Sequence, residues 1–277
     1  MVLWSDGVSR SIRSLKNPRE IIYNALMILF GVVGWAVLGL SVLAAMNAQS
    51  GGAQLGPLFV YAVIFLVYRW VGALFFRAYA FGNMILIGPK QFPALHEMVV
   101  RASQAIGLAR PPRAFLYNSQ GIFNAFARRL LGGRYVFLTS ALVEASSDAQ
   151  VRFVIGHEIG HHAAGHLNPW MNAVKLPGHL VPFLGPAYSR SREYTCDRIG
   201  AFLSEDVAAS CGALQMLGCG CRRLNDAMSC EAFIEQERMV PVVFGFLSEI
   251  MRSHPRLTRR VKAIAAVGGR SAGIAPG

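Results

Sequence analysis

His157-Glu158-Ile159-Gly160-His161 is the stretch on which the reading of this 277-residue chain turns. It has the form H-E-x-x-H and lies in a segment whose apolar residues recur at helical spacing. Four residues apart on an α-helix, the two imidazoles share a face and can hold one zinc ion, with the Glu158 carboxylate beside the metal rather than on it. A zinc ion with an open position brings the pKa of its bound water down towards neutrality, and a neighbouring carboxylate can then take the proton. The same five residues could instead be polar groups on an ordinary buried helix, so the surrounding sequence has to decide.

That sequence supplies the helix. Ser147 followed by Gln150 is a capping-box start, and Val151, Val154, Ile155 and Ile159 continue the helical spacing, which predicts a helix over residues 148–165. A third protein ligand is then needed. The extended pattern H-E-x-x-H-x-x-G-x-x-H would place a histidine where this chain has Leu167, and His166 is one position short. A carboxylate from a later helix is the other solution. Glu193 and Asp197 stand one helical turn apart, so one can bind metal while the other orients a ligating imidazole. The competing reading is a charged helix face paired with Arg190, Arg192 and Arg198.

With these segments in hand, the chain resembles the HtpX-like membrane zinc metallopeptidases, the family that includes CAAX prenyl-protein endopeptidases and OMA-type proteases. The likeness runs over most of the chain after about residue 90. It rests on Asn124-Ala125-Phe126-Ala127, on Phe153-Val154-Ile155-Gly156 ahead of the metal motif, on the E-x-x-x-D of Glu193 to Asp197, and on His254-Pro255 followed by Leu257, Arg260 and Val261. The resemblance implies a gluzincin-type endopeptidase holding one zinc ion on His157, His161 and Glu193, with Glu158 as general base. It further implies a catalytic His254, and supporting or substrate-binding positions for Asp197 and Asn124. The four-span HtpX pattern is incomplete here, so the resemblance names no subgroup of the family.

The N-terminal third is of another kind. No Asp, Glu, Lys or Arg occurs between Ile21 and Tyr68, and residues 21–46 alone exceed the roughly 20 needed to cross a bilayer. That run is also too long for the apolar region of a cleavable signal peptide. After a polar loop, residues 57–79 form a second apolar run interrupted by Arg69, whose insertion cost the surrounding apolar residues outweigh. Arg10, Arg13, Lys16 and Arg19 precede the first span and the loop has no positive charge, so the positive-inside rule puts both outer ends of the hairpin in the cytoplasm. Residues 1–20 are thus expected as a basic cytoplasmic N-terminus, 21–80 as a transmembrane hairpin and 90–277 as a cytoplasmic metallopeptidase domain, with a bacterial inner membrane as the setting.

A net charge of +12 suits contact with an anionic leaflet. Nucleic-acid binding is disfavoured, because charged residues make up only 15% of the chain and no recognition motif is present. The five cysteines form an odd set with no metal-pair spacing, so they predict neither a disulfide framework nor a second zinc, and most are expected buried. His162 and His166 lie off the face of the metal pair and are assigned supporting or surface roles. Residues 167–189 are apolar but broken by prolines and glycines, which predicts a re-entrant or surface loop, or a lid, rather than a straight span.

For the domain itself, residues 93–106 read as an amphipathic helix, and 114–117 and 135–138 as strands of a small antiparallel sheet. Everything after Ser147 reads as mainly helical. The fold class is therefore α+β, mostly helical, with a small sheet beside the metal helix and an N-terminal transmembrane hairpin. The function expected is a membrane-anchored zinc endopeptidase acting on protein or peptide substrates, membrane proteins among them, in quality control or processing. The alternatives are a zinc-binding chaperone or binding module without turnover, and a two-helix interaction protein whose histidines are structural.

Overall fold

The computed structural model describes residues 12–47 and 52–272; Arg10 and residues 48–51 of the polar loop lie outside them. A short helix, α1 (Ile12–Leu15), leads into two long ones, α2 (Pro18–Asn47) and α3 (Gly52–Asn83). Both are long and apolar enough to cross a membrane, and they contain the two expected spans. At 1.5 Å per residue, α2 is about 45 Å long, roughly 15 Å more than a hydrocarbon core. Its first turns are accordingly free to join the domain. Glu20 and Met27 are buried there.

The sheet comprises β1 (Ile85–Ile87), β2 (Arg113–Tyr117), β3 (Ala125–Leu130) and β4 (Gly133–Thr139), in the order β1-β2-β4-β3, with helix α4 (Pro93–Ala105) between β1 and β2. It is mixed, which corrects the antiparallel expectation: β2 and β4 run parallel, while β1 with β2 and β3 with β4 are antiparallel. The reason is the strand β3, unforeseen because its Arg128 and Arg129 break the apolar pattern. It forms a tight hairpin with β4 across Leu131 and Gly132, both at positive φ, and so leaves β4 aligned with β2. One face of the sheet carries Phe115, Phe137 and Phe126 in stacked contact and meets the end of α3, where Phe76 and Phe81 pack edge-on. Burying each ring of this size stabilises by about 1.5 to 3 kcal/mol.

The other face meets α4 and α6 (Asp148–Ala163), with a short helix α5 (Ser140–Ala145) leading in. The capping box of Ser147 and Gln150 is present, and α6 ends two residues before the expected position. Val151, Ile155 and Ile159 pack with Val99, Val136 and Leu138, while Phe153 joins a second core with Leu214, Val261 and Ile264. A helix buried on both sides is what a metal site needs, because its backbone cannot drift.

Residues 167–189 form no single span. They fold as α7 (Pro169–Lys175), a 3-10 turn (Leu176–Leu180) and the start of α8 (Leu184–Ser204). Both pieces lie on α2. A Cβ on Gly31 would come within 2.2 Å of the Val174 carbonyl oxygen, and one on Gly34 within 2.3 Å of Pro177, so the approach requires glycine at both. Trp35 Nε1 adds a 3.0 Å bond to the Ala173 carbonyl. The chain continues through α9 (Val207–Cys219), α10 (Arg222–Asp226), α11 (Cys230–Glu235), α12 (Val242–Ile250) and α13 (Leu257–Ala272). This mostly helical α+β architecture with its small sheet is the expected class.

The crossing of α6 and α8 fixes the site. A Cβ on Gly200 would stand 2.7 Å from the Phe153 carbonyl oxygen, and one on Gly156 would stand 3.1 Å from the Gly200 Cα. Backbone-to-backbone approach of this kind brings residues 157–161 of one helix against 193–197 of the other.

Candidate metal centre

Along that crossing, His157 Nε2 lies 3.6 Å from Glu193 Oε2, and His161 Nε2 lies 3.7 Å from Glu193 Oε1. These separations are too long for hydrogen bonds. They approach the spacing of about 3.3 Å between ligands that sit about 2.05 Å from one tetrahedral zinc ion. Two imidazoles and a carboxylate are donors of a kind that can hold zinc. Cys196 offers a further choice, since among the described residues His157, His161 and Cys196 present ligand atoms within 4.8 Å of one another. Burial and four nearby carboxylates hold the Cys196 thiol well above its usual pKa.

Each group around the two imidazoles has a defined partner. Asp197 Oδ1 accepts from His157 Nδ1 at 3.0 Å, which leaves Nε2 free to face Glu193. Arg260, in the first turn of α13, donates to both oxygens of Asp197 at 2.8 and 2.6 Å. Burial opposes the charge on Asp197, but Arg260 and the His157 bond outweigh it and lower its pKa. Glu193 is likewise held far below the ordinary range: burial works against it and is overcome by His254, His157, Arg260 and His161.

Glu158 faces a cavity of about 630 Å³ whose walls include Asn124, Leu142, His157, Glu193, His254 and Arg260. Burial lifts its carboxyl to about 7, with Glu193 adding to the rise and with His157, Arg260 and a hydrogen bond from the Ala127 backbone opposing it. That backbone group belongs to β3, the terminal strand of the sheet. Asn124 stands just before β3, where its N–H and C=O both pair with Thr139.

His254 lies three residues ahead of α13, whose first carbonyl comes from Arg256 and accepts from the amides of Arg259 and Arg260. Its Nδ1 lies 3.0 Å from Glu193 Oε2 while its side chain remains 66% exposed to the cavity mouth. His166 and His162 are both buried, not surface groups. His166 Nδ1 lies 3.1 Å from His161 Nδ1, and His162 Nε2 lies 3.0 Å from the Tyr135 carbonyl. All five cysteines are free thiols, and only Cys196 and Cys211 are buried, fewer than expected.

Sequence reasoning did not foresee Arg260 as the partner of Asp197, although its place in the late motif was a signal. Glu20 was missed altogether. Its signal was that α2 has no other acidic residue.

The sequence profile of Peptidase family M48 matches residues 89–177 and 170–267, more than half of the chain. The chain belongs to peptidase family M48. Membership accords with the HtpX-like resemblance carried by the motifs. Among M48-type relatives, the plastoglobule-localized metallopeptidase 48, chloroplastic, of Arabidopsis thaliana is 27% identical over 173 residues, covering 57% of this chain and 49% of that protein. A protease HtpX homolog of Methanopyrus kandleri is 25% identical over 212 residues, covering 61% of this chain and 65% of the homolog. The crystal structure of S. mikatae Ste24p shares the fold with a TM-score of 0.51 at 15% identity, over 90% of this chain and 66% of that one. The chain thus spans about half to two thirds of the length of these relatives.

Proposed function

We propose that this M48 family member is a membrane-anchored zinc endopeptidase with His157, His161 and Glu193 as metal ligands. The observation that carries the reading is the convergence of both imidazole Nε2 atoms on the two oxygens of one buried carboxylate. Zinc held there would supply an activated water and polarise the scissile carbonyl.

The remaining steps belong to side chains. Glu158, with a pKa near neutrality, is suited to accept the proton of the attacking water and return it to the leaving amide nitrogen. Asp197 keeps the His157 ring turned to the metal, and Arg260 keeps Asp197 charged. The exposed edge of β3, next to Glu158, offers backbone groups to an extended peptide, which is sequence-tolerant binding suited to a protease.

The apolar helices α2 and α3 anchor the domain at a bilayer, with membrane proteins as substrates in quality control or processing. The basic flank supports a cytoplasmic position for that domain, with a bacterial inner membrane as the proposed setting. Glu158→Gln tests the chemistry, because it should keep stoichiometric zinc and lose peptide cleavage by about 10² to 10⁴. Normal cleavage by this variant would remove Glu158 from the mechanism.

A further inference from the structure

Glu20, near the start of α2, is only 2% exposed, although it is the lone acidic residue of an otherwise apolar helix. A buried carboxylate persists only where it is well paired. Glu20 Oε1 lies 3.1 Å from His166 Nε2 and 3.6 Å from Lys16 Nζ, and Oε2 accepts from the Thr195 hydroxyl. Thr195 stands on α8 between Glu193 and Asp197, and the Asn17 amide also bonds its oxygen at 2.9 Å. His166 follows Gly165, whose φ of 81° turns the chain back at the end of α6. The His166 amide donates to the His161 carbonyl at 3.1 Å, and Asn172 Nδ2 donates to the His166 carbonyl at 3.1 Å. One carboxylate from α2 therefore holds α8, through Thr195, and the turn that follows α6, through His166.

The hydrogen-bond directions follow from this pairing. A carboxylate only accepts, so His166 places its proton on Nε2, and its Nδ1 becomes an acceptor. The groups facing that Nδ1 are His161 Nδ1 at 3.1 Å and Cys196 Sγ at 3.6 Å. The nearer one, His161, then donates from Nδ1 and leaves its Nε2 lone pair turned to Glu193. We infer that Glu20 is a positioning residue for the metal centre, setting the tautomer of His161 through His166 as Asp197 sets that of His157 directly. The inference rests on the zinc-site reading above. Its consequence is that α2 completes the site: the helix that anchors the domain also orients one of its ligands.

The test uses the full chain in detergent, loaded with zinc. In protein labelled with ¹⁵N-histidine, His161 should bind metal through Nε2 and carry a proton on Nδ1; ligation through Nδ1 overturns the inference without recourse to a variant. Glu20→Gln leaves one acceptor oxygen for two donors. It should release zinc to a chelator about 10 to 100-fold faster and shift the visible spectrum of the cobalt-substituted protein. Thr195→Val removes the hydroxyl's bonds to Glu20 and Asn17 but leaves the Glu20–His166 pair, and should release zinc more slowly than Glu20→Gln. Equal release by Glu20→Gln and the unmodified protein overturns the relay while leaving the zinc site intact. Failure of the unmodified protein to take up stoichiometric zinc overturns the site reading, and this inference with it.

Discussion

Arg260 closes on Asp197 with two parallel hydrogen bonds, of 2.8 and 2.6 Å, both partners being fully buried behind the candidate ligand His157. The pair joins the last helix of the chain to the helix that carries Glu193. Arg260 also lies 3.7 Å from Glu193, so one guanidinium balances two carboxylates of the site. Removing it strands both charges. Arg260→Met should destabilise the fold by about 3 to 5 kcal/mol, read as a lowered denaturation midpoint in detergent. Bound zinc should recover part of that loss, since the metal would neutralise Glu193; a midpoint unchanged from the unmodified protein refutes the role assigned to the pair.

The identity of the third ligand is decided by two variants measured side by side. Glu193→Ala should abolish stoichiometric zinc, whereas Cys196→Ser should hold it with affinity within about tenfold of the unmodified chain. Competition with a chromogenic chelator gives both constants. The reverse order would make Cys196 the ligand and return Glu193 to an ion pair with Arg260 and His254.

His254 reaches Glu193 from an irregular segment and stays accessible at the cavity mouth. His254→Ala should retain zinc and lower cleavage by about 10², the loss associated with one donor to a developing oxyanion. A rise in basal cleavage would instead make it a plug over the site. Unchanged rate, zinc content and stability would remove it from the mechanism.

Topology follows from charge. A reporter fused after Gly277 should be cytoplasmic, and one inserted at Gly51 should face the other side, because Arg13, Lys16 and Arg19 precede the apolar run that begins at Ile21 and no basic residue lies between the two spans. Both insertion points lie outside the described residues. Protease treatment of sealed inside-out vesicles checks the prediction: a protected domain would overturn the hairpin orientation.

Local patterns in the chain were enough for several features. The helix of the metal motif, its capping box, the two long apolar helices and the E-x-x-x-D turn all depend on residues within a few positions of one another, so spacing alone specifies them. Apolar length likewise announces α2 and α3, the latter despite Arg69. The candidate ligands were named from spacing and resemblance, and in the fold each of the two imidazole Nε2 atoms lies within 4 Å of an oxygen of Glu193.

Features that depend on distant partners were not readable in this way. The parallel pairing of β2 with β4 arises because β3 intervenes as a hairpin, and the arginines of β3 masked it as a strand. The depth of Glu20 depends on His166 and Thr195, 146 and 175 residues away, and its being the lone acid of α2 could signal a partner without naming one. The grip of Arg260 on Asp197 spans 63 residues. Periodicity tells which face of an element is apolar, but the partner of a buried charge is set by how whole helices cross, here through the backbone contact that Gly156 and Gly200 permit.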